Sequence, residues 1–180
     1  MPGSATAPAL SSPRSQSYYQ VRFEWGAEGA RAIAEGVHAV VWVDELGHEE
    51  VPELGVETVA GAMRSAAAIA RWCLERQAEL GGRFVIAIVA AGARQEDGSL
   101  RIAVEDLLAA GAVIDAIAEV GIDHQSPEAA AAAAAYTGLR RATRHLVSAS
   151  VSARELGGPE LDLDPVDAVE RIGTGASREG

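Results

Sequence analysis

Tyr19, Val21 and Phe23 alternate with Gln20, Arg22 and Glu24, the two-residue period of a strand. In residues 26–36 the apolar positions Ala30, Ile33 and Ala34 fall at helical spacing, and Gly36 is a natural stop. Residues 37–43 are apolar except for His38 and rich in Val, the pattern of a strand covered on both faces. That strand ends at Asp44. Residues 47–55 form an acidic loop, and 56–63 hold a short strand. Ser65 is placed to cap a helix running to about Leu80, with Ala68, Ile69, Trp72 and Leu74 on its buried side and Gly81-Gly82 closing it. Residues 84–91 are a second central strand. After the turn Gly92-Ala93-Arg94 and a polar loop, residues 103–120 read as a helix with Leu107, Leu108, Ile114 and Ile117 on one face. Gly111 in its middle predicts a close approach to the sheet.

The second half reads as helical throughout. Ser126-Pro127-Glu128 combines an N-cap, a proline at the first position and an acid in the first turn. The alanine run 129–135 has high helix propensity. A break near Gly138 is followed by helical pattern to Val147, a short helix over 150–156, and a last helix opened by Asp164-Pro165 and ending near Ile172. Residues 1–17 are rich in Ser, Pro and Ala and read as a disordered tail, with 173–180 a loose end. The order β-α-β-(β)-α-β-α-α-α predicts one α/β domain over residues 18–172, with a central, mostly parallel sheet covered by helices.

Composition narrows this picture. Hydrophobic residues make up 48% of the 180 and aromatics only 4%, so the core is built from Ala, Val, Leu and Ile. A net charge of −11 argues against nucleic acid or an anionic membrane as partner. The start of the chain lacks a basic segment followed by an apolar one, and no apolar run reaches a membrane span. The expectation is a cytoplasmic protein. The lone Cys73 sits in a helical pattern as a small buried hydrophobe.

Candidate chemistry centres on Glu105 and Asp106, adjacent carboxylates in the first turn of the helix after a central strand. Ligands of open α/β sheets bind at the carboxyl ends of the strands, where paired carboxylates suit a hard cation such as Mg2+. An acidic first turn also suits the helix dipole by itself, and both readings stay open. His38 reads as a sheet-end histidine, and His48 with Glu49, Glu50 and Glu53 as a solvated loop. Arg140, Arg141, Arg144 and His145 read as a solvated helix face, and Trp25, Trp42 and Trp72 as packing residues. The chain has no GxGxxG, P-loop, GxSxG or HExxH motif.

Several segments in order resemble the 2-phosphosulfolactate phosphatase family. They are Tyr19-Gln-Val-Arg-Phe-Glu-Trp-Gly26, Ala39-Val-Val-Trp-Val-Asp-Glu-Leu46, and the helix start from Val59 to Trp72. Ala90-Ala-Gly-Ala-Arg94, Asp97-Gly-Ser-Leu-Arg101, Val104-Glu-Asp-Leu-Leu-Ala-Ala-Gly111 and Ser150-Val-Ser-Ala-Arg-Glu-Leu156 continue the likeness. The resemblance implies a three-layer α/β/α sandwich. It also implies Mg2+-dependent hydrolysis of 2-phospho-3-sulfolactate to 3-sulfolactate and phosphate. Asp44, Glu105 and Asp106 would surround the metal as catalytic groups, and Arg94 or Arg154 would contact the anionic substrate. The partner is then a small phosphorylated or sulfonated carboxylic acid. Ala93 stands where the family has Glu, Ala153 where it has Gly, and the family's middle region is missing after Asp44. Those departures give the alternative expectation: a catalytically inactive homologue acting as a small-ligand-binding or oligomerisation module. A shortened sheet with an open edge makes a homodimer plausible.

Overall fold

The computed structural model describes residues 12–47 and 49–173. The expected tails at 1–11 and 174–180, and His48, lie outside the described residues. Strands β1 (Val21–Trp25), β2 (Ala39–Val43), β3 (Glu57–Gly61) and β4 (Ile86–Ala90) form a parallel sheet in the order β1-β4-β2-β3. Helix α1 (Gly26–Ile33) covers one face. Helices α2 (Ala66–Leu80), α3 (Val104–Glu119) and α4 (Pro127–Leu139) cover the other. The α/β architecture with a mostly parallel central sheet is as expected.

Two cores follow from the strand pleat. Val41, Ile86, Ile88 and Val59 face α2 and α3. Val40, Trp42, Ala87 and Val89 face Ala30 and Ile33 of α1. A polar position of β1 is also under cover. Arg22 is 3% exposed, and its Nη1 donates to the carbonyls of Ile33 (3.0 Å) and Glu35 (2.8 Å). A strand arginine thus satisfies orphan carbonyls around the end of α1.

Several expectations need correction, among them Leu74, which is exposed on α2. Residues 12–17 are not a tail: Pro13–Ser15 is a 3-10 turn, and the Gln16 amide pairs with β1. Its Nε2 donates to the Phe23 carbonyl (2.7 Å), and the Phe23 N–H donates to its Oε1 (3.0 Å). This side chain mimics a strand at the β1 edge. The 124–126 segment covers the same strand, with the Val21 N–H donating to the His124 carbonyl (3.1 Å), so β1 is closed to strand addition. Ser65 precedes α2 but does not cap it; its hydroxyl bonds back to Ala62. Asp164-Pro165 opens no helix. Instead Arg171–Gly173 forms β7, antiparallel to β3, because the backbone groups along β3 need partners. Finally, Gly111 meets a helix and not the sheet: a Cβ there would lie 2.2 Å from the Ala132 carbonyl oxygen of α4.

The loop after β4 is also more regular than its sequence suggests. Ala93–Arg94 (β5) pairs with Leu100–Arg101 (β6) as a small antiparallel hairpin. After α4, helices α5 (Thr143–Ser148) and α6 (Val151–Glu155) complete the chain's helical half. Ser126 and Ser150 cap α4 and α6, accepting from Ala129 N and Ala153 N at 3.1 Å each. No described helix is long and apolar enough to cross a membrane. Arg140, Arg141, Arg144 and His145 are exposed.

The α3–α4 contact is tight enough to test. Gly111→Ala should gain about 1 kcal/mol of helix propensity yet lose more through overpacking, typically about 1–3 kcal/mol. Urea denaturation should show net destabilisation; a neutral or stabilised variant would contradict this packing.

Candidate functional site

The carboxyl ends of β2 and β4 and the start of α3 meet at one rim of the sheet. A cavity of about 230 Å³ opens there, with Asp44, Glu105, Asp106 and Arg94 all on its wall. Three of the expected acids and one expected cation therefore come together. Arg154 does not join them; it is exposed on α6 and absent from the cavity wall. Arg101 occupies the place expected of it. Its Nη2 donates to Ser152 Oγ (3.0 Å) and Glu155 Oε2 (3.2 Å). The signal was available, since Arg101 closes the Asp97-Gly-Ser-Leu-Arg101 segment.

The acids do different work. Asp106 is 2% exposed. Its Oδ1 accepts from Glu45 N and its Oδ2 from Gly92 N, both at 2.9 Å. It therefore ties the loop after β2 and the turn after β4 to α3. Asp44 shapes its own loop, accepting from Gly47 N (2.8 Å) and Glu49 N (2.7 Å). Glu45, which the sequence did not single out, accepts from Met63 N (2.8 Å) and fastens the same loop to the approach to α2. Glu105 differs from all three. It is 3% exposed, it lines the cavity, and its Oε2 has no hydrogen-bond partner.

Burial dominates the electrostatics. It pushes the Asp106 carboxyl up to about 8, against the two backbone amides that favour its anion. Repulsion from Asp44 and Glu105 adds to the rise. Burial likewise lifts Glu45 to about 7, with Met63 N and Arg64 opposing it. Of the two cations on the cavity wall, Arg101 is paired with Glu155, and Arg94 donates through Nε to Glu49 Oε2 (3.0 Å).

Four carboxylates offer the oxygen donors that a hard cation prefers. Their placement does not suit one. Among the described residues, no three acidic, histidine or cysteine side chains are grouped to hold a metal ion. Both oxygens of Asp44 and of Asp106 are turned to backbone amides. As they stand, these side chains form no ready-made Mg2+ site. No family model matches this chain, and no curated protein matches it.

Other candidates are structural. His38 Nδ1 accepts from Val85 N (2.8 Å) at the start of the sheet. Trp72 packs edge-on against Phe84, with centroids 5.5 Å apart. Cys73 is buried, and its thiol is pushed up to about 12 by desolvation.

The raised carboxyls have a consequence for stability. A carboxyl protonated in the fold but ionised in the unfolded chain stabilises fully below the ordinary carboxylate pKa of about 4. That stabilisation is lost as pH rises through about 7 for Glu45 and about 8 for Asp106. The melting temperature should therefore fall between about pH 5 and about pH 9. Asp106→Asn should be less stable than wild type at the acid end, having lost one amide acceptor. It should also show a flatter pH dependence; parallel curves would rule out Asp106 as the titrating group.

Proposed function

We propose that this chain is built on the 2-phosphosulfolactate phosphatase plan. In this reading its rim cavity binds a small phosphorylated or sulfonated carboxylic acid without turning it over. One observation carries the reading: Asp44 and Asp106 direct all four carboxylate oxygens at backbone amides. They act as loop clamps. Phosphoryl transfer depends on positioning and on neutralising charge at the transferred group. The cations available on this wall are two arginines, each already paired with a glutamate.

Binding asks for less. Both ion pairs are at least partly solvated, so they contribute little stability and can be exchanged. An anionic group of the ligand displaces Glu155 from Arg101, which presents its guanidinium in the planar fork that suits carboxylate, sulfonate or phosphate. A ligand hydroxyl donates to the unpartnered Glu105 Oε2. Ser152, already bonded to Arg101, holds that guanidinium in place.

A second reading is active Mg2+-dependent hydrolysis of 2-phospho-3-sulfolactate by Asp44, Glu105 and Asp106. The orphaned Glu105 oxygen favours it, because a buried acceptor without a donor is unusual. One pair of measurements separates the two. Calorimetry with 3-sulfolactate should show saturable binding, weakened about ten-fold or more in Arg101→Met, since a hydrogen bond to a charged group contributes about 1.5–3 kcal/mol. Incubation with 2-phospho-3-sulfolactate and Mg2+ should release no phosphate above the no-protein control. Phosphate release that requires Mg2+ and disappears in Glu105→Gln would establish the second reading in place of the first.

A further inference from the structure

A larger opening lies beside the rim cavity. It is a crevice of about 510 Å³ where the chain leaving β1 and the chain leaving β4 part to opposite faces of the sheet. β1 and β4 are neighbours, yet α1 follows one and α3 the other, on different sides. Such a divergence is where open α/β sheets bind ligands. The sequence marks Trp42 as a packing residue and Gly26 as helix punctuation.

Two sets of donors meet there, with the Glu24 carboxylate against the first turn of α1, its Oε2 3.2 Å from where a Cβ on Gly29 would be. Helix α1 begins at Gly26 directly after β1, and the preceding Trp25 provides no side-chain cap. Its first amides lack intrahelical partners and carry the positive end of the helix dipole. Gly26, Ala27 and Gly29 line the crevice. Independently, Trp42 is 4% exposed, lines the same crevice, and its Nε1–H has no partner. Glu24 and Trp42 both register with Val89, one from each side, so the indole and the Glu24 side chain share the α1 face.

The remaining charges follow a pattern. Glu24 accepts from Trp25 N, and Glu49 is paired with Arg94. Glu28 and Glu50 are exposed, with Arg14 and Arg94 the cations on the wall. Leu100, 46% exposed, sits against the start of α1, with its Cδ1 3.2 Å from where a Cβ on Gly26 would be. Donors thus line the inner wall beside the half-buried Glu24, Glu28 and Glu50 stand in the open, and Trp25 and Leu100 supply apolar surface.

We propose that this crevice binds a small zwitterion, an α-amino acid with an apolar side chain. Its carboxylate lies between the first amides of α1 and the indole N–H of Trp42. Its ammonium faces Glu28 and Glu50, and its side chain rests on Trp25 and Leu100. The inference does not depend on the rim cavity or on any hydrolysis there. The two sites share only the Glu49–Arg94 pair as a partition.

The test is a 15N–1H NMR titration of the whole protein with three probes: L-leucine, 4-methylpentanoate and 3-methylbutylamine. The last two are leucine without its ammonium and without its carboxylate. Leucine should shift the Trp42 indole resonance and the amides of Gly26, Ala27 and Gly29. It should bind about ten-fold or more tightly than either half, as expected for one lost charge-assisted contact. Trp42→Phe should weaken leucine binding about ten-fold. Ala27→Asp places a carboxylate where the helix dipole welcomes one; it should fold normally and abolish binding. The proposal is overturned if either half binds as well as leucine. It also fails if Ala27→Asp binds unchanged, or if the shifts fall on Arg101 and Glu105 instead. Should Trp42→Phe not fold, Ala27→Asp decides alone.

Discussion

The carboxyl group of Asp106 holds one rim of the central sheet together. Parallel strands end in loops whose amides lose their ladder partners, and a buried amide without an acceptor is costly. Asp106 answers two of these at once, Glu45 N after β2 and Gly92 N after β4. The turn at Gly92 tolerates no side chain, since its φ is +71° and a Cβ would lie 2.9 Å from the Arg101 carbonyl oxygen. The position of the β5–β6 hairpin, and with it Arg94 and Arg101, therefore depends on a helix residue reaching back to the sheet.

That arrangement orders the rim. A carboxylate that is to ligate a cation or activate a water needs an oxygen facing the ligand. Asp106 and Asp44 face the backbone, and burial favours the protonated form of Asp106 near neutral pH. Glu45 repeats the pattern one loop further on. Of the acids at this rim, Glu105 alone combines burial with an unpartnered oxygen. An acid-rich rim thus contains three fasteners and one side chain with a buried oxygen left unpartnered.

Much of the fold was legible because it is written in local patterns. The apolar strands, the Ser126-Pro127-Glu128 start and the Gly81 stop rest on neighbours within a few residues. The misreadings involve distant partners. Asp164-Pro165 has the local grammar of a helix start, but the edge of β3 more than a hundred residues earlier recruits Arg171–Gly173 as a strand. Gln16 lies in a segment of tail-like composition, and its order comes from the Phe23 backbone. Gly111 correctly signalled close packing, while its partner, Ala132, belongs to a helix whose docking no periodicity specifies. At the site, Asp44, Glu105 and Asp106 were found by residue type. What separates them, the direction of each oxygen, depends on amides in other segments. Arg101 and Arg154 are equally good arginines in sequence, and only the hairpin places Arg101 in the cavity.

The sheet order explains why one edge carries two openings. With β4 inserted between β1 and β2, the connections at the carboxyl ends diverge at the β1–β4 boundary and leave a gap that no helix fills. The β5–β6 hairpin crosses the rim, contributing Leu100 to the crevice and Arg101 to the cavity, residues adjacent in sequence. The Glu49–Arg94 pair stands between the two. A residue pair that belongs to both walls cannot be reoriented for one ligand without changing the other opening. Any ligand that pulls Arg94 away from Glu49 on the cavity side adds an uncompensated carboxylate to the crevice. That alters its charge in the direction that favours an ammonium and disfavours a carboxylate. Coupling between the sites, where both are filled, therefore has two direct routes on the rim, this ion pair and the adjacent Leu100 and Arg101 of the hairpin.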